Sequence, residues 1–241
     1  MTAPATGRRT ELAENIIALR ARIAAACESA GRGVPEITVI AVTKTRPASD
    51  IRLLAELGMT DIGENRDTEA APKAAQCADL PLTWHFVGQL QTRKCRSVVG
   101  YADVVHSVDR PHLVHVLARE AVRAGRLITC LVQVSLDGGV GVSGVPRGGI
   151  PLGDAVPLAG QVADQGGLRL GGVMAVAPLS MPPADAFARL RVSAAAVRGV
   201  RPGATVISAG MSGDLEAAVE AGATHLRIGT ALLGDRGPRV R

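Results

Sequence analysis

A lysine after an apolar segment is the first residue of the chain whose position suggests chemistry. Residues 37–42 read ITVIAV, a pattern typical of a buried strand, and Lys44 follows after one intervening residue. Desolvation lowers the pKa of an ammonium group, and a neutral amine is the form that condenses with an aldehyde to a Schiff base. The alternative is a strand-end lysine whose ammonium group simply reaches solvent.

A second polar segment, SAGMSGD, joins a predicted strand to a predicted helix. It contains the candidate binding residues Ser208, Gly210, Met211 and Ser212. Glycine lets the backbone approach a ligand closely, and the free amides at a helix start favour an anion, most simply a phosphate. The alternative is that Ser212 or Asp214 merely caps the helix.

The segment RIGT near the end of the chain offers the complementary half of an anion site. In (β/α)8 barrels, phosphate is commonly held by the loops after strands seven and eight. Gly229 and Thr230 could add amides and a hydroxyl, while Arg227 points toward the barrel mouth. The alternative for Arg227 is a structural ion pair with a carboxylate such as Glu64. A phosphate site facing Lys44 suggests a phosphorylated aldehyde, and pyridoxal 5′-phosphate (PLP) meets both requirements.

Eight strand-like segments alternate with helix-like ones, which predicts right-handed βαβ units and a parallel sheet. The strand candidates are residues 38–43, 60–63, 83–87, 103–107, 127–135, 168–175, 205–208 and 225–228, and the helix candidates are 48–57, 66–77, 111–124, 182–198 and 213–221. Eight repeats in 241 residues favour an α/β fold of one (β/α)8 TIM barrel over a doubly wound sheet. In such a barrel, chemistry lies at the carboxyl ends of the strands, where these polar residues fall.

Two segments fall outside the repeats. We expect residues 1–9 to be disordered and residues 10–241 to form a single PLP-binding barrel domain with an extra N-terminal helix capped by Thr10. Residues 137–153 are rich in glycine and predict a mobile loop after strand five.

The composition narrows the class of protein. Hydrophobic residues make up 47% of the chain and aromatic residues only 2%, so the core must be aliphatic, as suits an α/β fold, and no stacking platform for single-stranded nucleic acid exists. The four cysteines lack CxxC spacing, which argues against disulfides and zinc sites. Without a signal-peptide pattern or a membrane-spanning apolar run, we expect a cytoplasmic protein that binds neither nucleic acid nor membrane.

Five motifs together resemble the pyridoxal phosphate homeostasis protein family across residues 37–234: IAVTKTRP, DIGEN, WHFVGQLQTRK, GVMAVAP and SAGMSGDLEAAVEAGATHLRIGTALLG. The resemblance implies a fold-type III barrel similar to the cofactor domain of alanine racemase, with PLP carried by Lys44 as a Schiff base. It also implies a role for each remaining site residue. The phosphate would be bound by Ser208, Ser212, Gly229 and Thr230, the pyridine nitrogen would lie beside Arg227, and the ring would lie near Asn65.

The chain departs from the family pattern in three places. Arg66 replaces the usual tyrosine after Gly-Glu-Asn, Ala209 replaces a methionine, and the segment after strand five reads DGGVGVSG without the usual glutamate and lysine. The cofactor anchor is retained, while any role of that loop in transfer or in contact with client enzymes is left open.

The predicted arginine beside the pyridine nitrogen bears on the kind of function. A guanidinium disfavours protonation of that nitrogen, which strong electron-sink chemistry requires. Racemisation would also need a second base, and the only tyrosine, Tyr101, precedes strand four at the opposite end of the barrel, while His85 is expected to be packed within strand three. We therefore expect a monomeric, non-catalytic carrier in PLP homeostasis that serves PLP-dependent apoenzymes. The alternatives are a weak amino-acid racemase or related PLP-dependent enzyme, and a class I aldolase that uses Lys44.

Overall fold

Eight parallel strands close into a barrel in the computed structural model, which describes residues 5–136 and 148–234. Each strand pairs with its neighbours in sequence, and β8 closes the ring on β1. The strands are β1 (Thr38–Val42), β2 (Asp61–Glu64), β3 (Thr83–Phe86), β4 (Val104–Val108), β5 (Ile128–Gln133), β6 (Leu168–Met174), β7 (Val206–Ser208) and β8 (His225–Ile228). The predicted (β/α)8 fold is confirmed, with every strand candidate overlapping an observed strand.

Helices surround the barrel and connect its strands. They are α1 (Ala5–Ser29), α2 (Ala48–Glu56), α3 (Asp67–Gln76), α4 (Cys95–Val99), α5 (Pro111–Arg123), α6 (Ala155–Ala163), α7 (Pro183–Val200), α8 (Leu215–Glu220) and α9 (Thr230–Leu233). Of these, α4, α6 and α9 were not predicted. Two of them, α4 and α9, are too short to show a helical period in sequence. None of the helices in the described ranges combines the length and apolar character needed to cross a bilayer.

The N-terminal helix begins earlier than the sequence suggested. It starts at Ala5, so Thr10 lies inside it and residues 5–9 are helical instead of disordered, while residues 1–4 lie outside the described part. The reason is tertiary: Arg8 donates to Asp50 Oδ2 at 2.7 Å and to the Leu233 carbonyl at 3.1 Å, and these contacts hold a first turn that has no acidic residue of its own.

Helix α1 packs beside the last two helices of the barrel. Its apolar face is buried, with Leu12, Ile16, Leu19 and Ile23 each at most 4% exposed. Its polar side chains reach the loops at the barrel rim: Asn15 donates to the Leu232 carbonyl at 3.0 Å, and Arg22 donates to the Ser212 carbonyl at 3.2 Å. The extra helix therefore contacts, from outside, the loop after β7 and the short helix that follows β8.

The fifth loop is only partly described. Residues 137–147, most of the predicted mobile loop, lie outside the described residues. After them, Ile150 forms a parallel bridge with Val134 and accepts a hydrogen bond from the Ser135 amide at 2.8 Å. The end of the predicted loop is thus tied to the end of β5.

Candidate functional site

The strand-end residues singled out from sequence lie at one rim of the barrel. All strands are parallel, so their carboxyl ends share one face, and Ala41 of β1 is paired with Ile228 of β8. A Cβ atom at Gly229 would lie 3.7 Å from the carbonyl oxygen of Val42. The loop after β8 therefore runs beside the end of β1, two residues before Lys44.

The backbone on both sides of Lys44 is fixed by side chains of α3. Lys73 Nζ donates to the carbonyl oxygen of Thr43 at 2.9 Å, and the amide of Thr45 donates to Glu69 Oε2 at 2.9 Å. Thr45 has a φ of 67°, which is rare for a β-branched residue. Such strain persists only where the surroundings impose it, so the half-buried Lys44 sits on a constrained segment of backbone.

A buried ion pair supports this segment from below. Glu64 is fully buried, and its Oε1 accepts hydrogen bonds from Lys73 Nζ and Thr43 Oγ1, both at 2.6 Å. Burial raises the pKa of Glu64, outweighing the opposite effect of the bonds from Lys73 and Thr43. The alternative that Arg227 pairs with Glu64 is wrong, because Lys73 takes that place.

The loops after β7 and β8 are bonded to each other. Ser212 Oγ accepts a hydrogen bond from the Ala231 amide at 3.1 Å, and Asp214 Oδ1 accepts one from the Met211 amide at 2.6 Å. Ser212 therefore bridges to the first turn of α9 and does not cap α8, and Asp214, at the N-cap position of α8, makes no capping bond to that helix. Gly210 has a φ of 87°, and a Cβ atom there would lie 2.6 Å from Ala218 Cβ.

Arg227 is buried at the rim, only 5% exposed. Its guanidinium donates to Ser208 Oγ and to the carbonyl oxygen of Ala175, both at 2.8 Å, and forms no salt bridge with a carboxylate in the described ranges. Burial lowers its pKa to about 10, so it stays charged near neutral pH. The structure thus places a cation among neutral oxygens, a costly arrangement unless a ligand or another group compensates it.

Ser208 differs from the expectation that its hydroxyl faces a phosphate. It is fully buried, and its Oγ bonds to Arg227 and to His106 Nδ1 at 3.0 Å. The sequence could place Ser208 at the end of β7 but not choose the direction of its side chain.

A cavity of about 320 Å³ opens beside Arg227, a size suited to a small ligand. It is also lined by residues at the ends of β5 and β6 that sequence reasoning missed, including Gln133, Ser135 and Met174. Polar residues at predicted strand ends were the signal that could have found Gln133 and Ser135. Lys44 and Asn65 lie at the same rim but outside the described lining of this cavity.

Asn65 directly follows β2 and shows an unmet bonding requirement. Its Oδ1 is buried without a hydrogen-bond partner in the described part of the chain. A buried amide oxygen left unpaired is costly, so a donor from a ligand would stabilise it. No group of three metal-binding side chains occurs among the described residues.

Comparison with known proteins gives the class of this barrel. The family model described as "Alanine racemase, N-terminal domain" matches residues 15–237. An alanine racemase from Corynebacterium glutamicum has the same fold with a TM-score of 0.64 at 12% identity, covering 93% of this chain and 60% of that one. The fold and the strand-end site together define a barrel of the alanine racemase N-terminal domain class.

Closer relatives carry one shared name, pyridoxal phosphate homeostasis protein. The relative from Mycobacterium tuberculosis is 41% identical over 95% of this chain and 94% of its own length, and the one from Escherichia coli is 35% identical over 94% and 97%. The structure of PipY from Synechococcus elongatus, with PLP bound, is 35% identical with a TM-score of 0.78, covering 92% of this chain and 100% of that one. The chain belongs to the pyridoxal phosphate homeostasis protein family, as its motifs indicated.

Proposed function

We propose that this chain binds PLP reversibly at the barrel rim, with Lys44 as the covalent anchor, and acts in PLP homeostasis as a carrier. Support comes from the name shared by its relatives and from the structure of PipY, which has PLP bound. The proposal includes a monomer that delivers PLP to apoenzymes in the cytoplasm, where a reducing environment suits four buried, unpaired cysteines.

The observation that carries the proposal is the buried Arg227, which forms no salt bridge with a carboxylate in the described part of the chain. Bound PLP would supply an aldehyde, an aromatic ring with an acceptor nitrogen, and a phosphate. Arg227 would donate to the ring nitrogen, and the loops after β7 and β8 would hold the phosphate through the amides of Ser212 and Gly213, which donate to no described acceptor. Gly229 and Thr230 would complete that loop pair.

The three lysines of the chain differ in where they lie, and the difference supports Lys44 as the anchor. Lys73 Nζ is engaged by buried Glu64, and Lys94 Nζ contacts Asp67 Oδ2 at 3.1 Å. Lys44 stands at the end of β1, on the strand next to β8 and its loop. The hydrogen bonds that fix the backbone at Thr43 and Thr45 would orient the Lys44 amine in one direction, which favours condensation with an aldehyde held nearby.

Arg227 and the positions of His85 and Tyr101 favour a carrier over an enzyme. A charged guanidinium beside the ring nitrogen opposes its protonation and weakens the electron withdrawal that amino-acid chemistry needs. Neither candidate for a second base lies at the rim: His85 bonds inside the barrel, and Tyr101 packs against Trp84 with ring centroids 6.3 Å apart. The runner-up, a weak racemase, would have to recruit another group.

The anchor is tested by trapping. The purified protein is incubated with PLP, reduced with borohydride and mapped by peptide mass spectrometry. We expect a pyridoxyl adduct on Lys44 that Lys44→Ala abolishes, with the matched variant Lys94→Ala still labelled at Lys44. An adduct mainly on Lys73 or Lys94 in the wild-type protein would refute the assignment.

The absence of turnover is tested separately. The PLP-loaded protein is incubated with amino acids in deuterated water, and exchange of the α-proton is followed by NMR. The carrier function predicts a change in the visible spectrum with no exchange above that of free PLP. Lys44-dependent exchange well above that level would favour the racemase.

A further inference from the structure

A chain of hydrogen bonds crosses the barrel interior from Arg227 to the opposite face. Arg227 Nη1 lies 2.8 Å from Ser208 Oγ, which lies 3.0 Å from His106 Nδ1. His106 Nε2 lies 2.9 Å from His85 Nδ1, and His85 Nε2 lies 2.9 Å from Asp61 Oδ1. Ser208 and both histidines are at most 2% exposed, whereas the Asp61 side chain is 27% exposed at the start of β2. The chain thus links the cavity rim to solvent at the other end.

The groups at the two ends of this hydrogen-bond chain give it a direction. A guanidinium only donates hydrogen bonds and a carboxylate only accepts them. With neutral rings, one arrangement satisfies every link: Ser208 O–H donates to His106 Nδ1, and both histidines donate from Nε2, His106 to His85 and His85 to Asp61. The Ser208 oxygen then turns a lone pair toward Arg227. A doubly protonated His85 would donate from Nδ1 and reverse the links up to Ser208.

The surroundings disfavour a positive charge on His106. His106 is fully buried, and burial lowers its pKa well below the usual value, helped by His85 and Arg227. His225 lies beside the chain, with its ring centroid 6.3 Å from that of His85 and its Nδ1 bonded to Thr224 Oγ1 at 2.9 Å. Among the described residues, Asp61 at the far end carries the only carboxylate bonded to this hydrogen-bond chain.

We propose that His106 and His85 are positioning residues for the ligand site. His106 accepts the Ser208 O–H, which leaves the Ser208 oxygen free to accept a hydrogen bond from Arg227. That bond holds the guanidinium against the cavity. The two histidines do not touch the ligand themselves. The ligand readouts below rest on the proposed PLP function, whereas the tautomer readout does not.

The direction of the hydrogen-bond chain is tested without any ligand. NMR of protein labelled with ¹⁵N in histidine reports which ring nitrogen carries the proton. We expect His106 as the neutral Nε2–H tautomer near neutral pH, with its signals shifted by Ser208→Ala, and His85 with its Nε2 proton facing Asp61 and no proton on Nδ1. A proton on Nδ1 of either histidine would overturn the proposal even if the protein bound PLP as expected.

The effect on the site is tested with a pair of variants. His106→Gln keeps one donor and one acceptor, whereas His106→Leu has neither. We expect His106→Leu to bind PLP about tenfold more weakly and to shift the visible spectrum, and His106→Gln to stay within about threefold of wild type. Urea unfolding of each apo-protein separates this from lost stability.

Two results would contradict the positioning role. One is a folded His106→Leu protein with wild-type affinity and spectrum, which would show that the hydrogen-bond chain has only a structural role. If His106→Leu does not fold, His85→Gln takes its place: it keeps the donor and acceptor, so a tenfold loss there would count against the proposal and near-wild-type affinity would support it. Failure of wild-type protein to bind PLP would refute the proposed function alone, with the tautomers still deciding the chain's direction.

Discussion

Lys44 illustrates what a single residue's position can and cannot reveal. Its place after an apolar segment predicted both the strand and the candidate anchor. The groups that hold it were not predictable, because Glu69 lies 24 residues from Thr45 and Lys73 lies 30 residues from Thr43, and they meet only in the folded barrel. Side-chain directions, such as that of Ser208, depend on the same long-range packing.

Lys73→Met is expected to lower the free energy of unfolding by about 3–5 kcal/mol, because it leaves Glu64 buried without its cationic partner. Urea denaturation near neutral pH measures the loss. The control is Arg9→Met, whose side chain is 54% exposed and 3.7 Å from Glu56, and which should change stability by no more than about 0.5 kcal/mol. Equal effects of the two substitutions would show that the Glu64–Lys73 pair does not stabilise the fold.

Glu64 also predicts a dependence on pH. Burial raises its pKa in the folded state, so the folded protein holds this proton more tightly than the unfolded chain. The resulting stability is complete below the unfolded-state pKa of about 4.5 and is lost as the pH rises through the folded-state pKa. The unfolding free energy of wild type minus that of Glu64→Gln should therefore fall as the pH rises from about 4 to about 7. A rising difference would mean that the bond to Lys73 outweighs burial.

At the scale of elements, strands were easier to predict than helices and loops. Most strands contain aliphatic residues and are bounded by polar residues or glycine, and that signal is local; β3, which reads TWHF, is the exception. The start of α1 depends on contacts of Arg8 with Asp50 and with the Leu233 carbonyl, which no local pattern encodes. The close approach of the loops after β2 and β3 is likewise a tertiary property.

Gly88 sits at that approach and tests it. A Cβ atom there would lie 2.1 Å from the backbone oxygen of Asn65, so Gly88→Ala should displace the end of β2, lower the free energy of unfolding by about 2 kcal/mol or more, and weaken PLP binding. The control, Gly199→Ala in α7, meets no atom within 4 Å and should stabilise the protein by about 0.5–1 kcal/mol. Thermal and urea unfolding measure both changes. Wild-type stability and PLP affinity in Gly88→Ala would mean that the two loops can separate without cost.

At the scale of the whole molecule, the barrel was predictable and its polar interior was not. The count and order of strands set the topology, but His85, His106, His225 and Arg227 face one another only after the strands close. Period-two alternation along β3, β4 and β8 offered a signal for this interior, and His85 was correctly expected to be packed.

Two histidines inside the barrel, the buried His106 and the half-buried His225, predict loss of stability in acid. Burial lowers the pKa of His106 well below 6.5 and that of His225 to about 4, so the unfolded chain binds protons that the folded protein excludes. Their contribution is present above about pH 6.5 and is lost as the pH falls toward the folded-state values, by up to about 1.4 kcal/mol per pH unit for each histidine. Unfolding free energies of wild type and His225→Gln between about pH 7 and about pH 4.5 should show a shallower fall for the variant.

The matched control for the acid experiment is His112→Gln, which changes an exposed histidine on α5. It should reproduce the wild-type slope. If His225→Gln also kept that slope, the excluded protons would have to belong to other groups.

Closure of the barrel by β8 against β1, with α1 laid over the final loops, has a consequence for synthesis. A nascent chain interrupted before His225 would leave one edge of β1 unpaired, and Arg8 and Asn15 would lack the carbonyl groups they contact near Leu232 and Leu233. Lys44 would already have emerged from the ribosome, but the segment after β8 that is proposed to hold the phosphate would not yet have been synthesised. We therefore expect loading with cofactor only after β8 has paired with β1, and a truncated chain should compete poorly for scarce PLP.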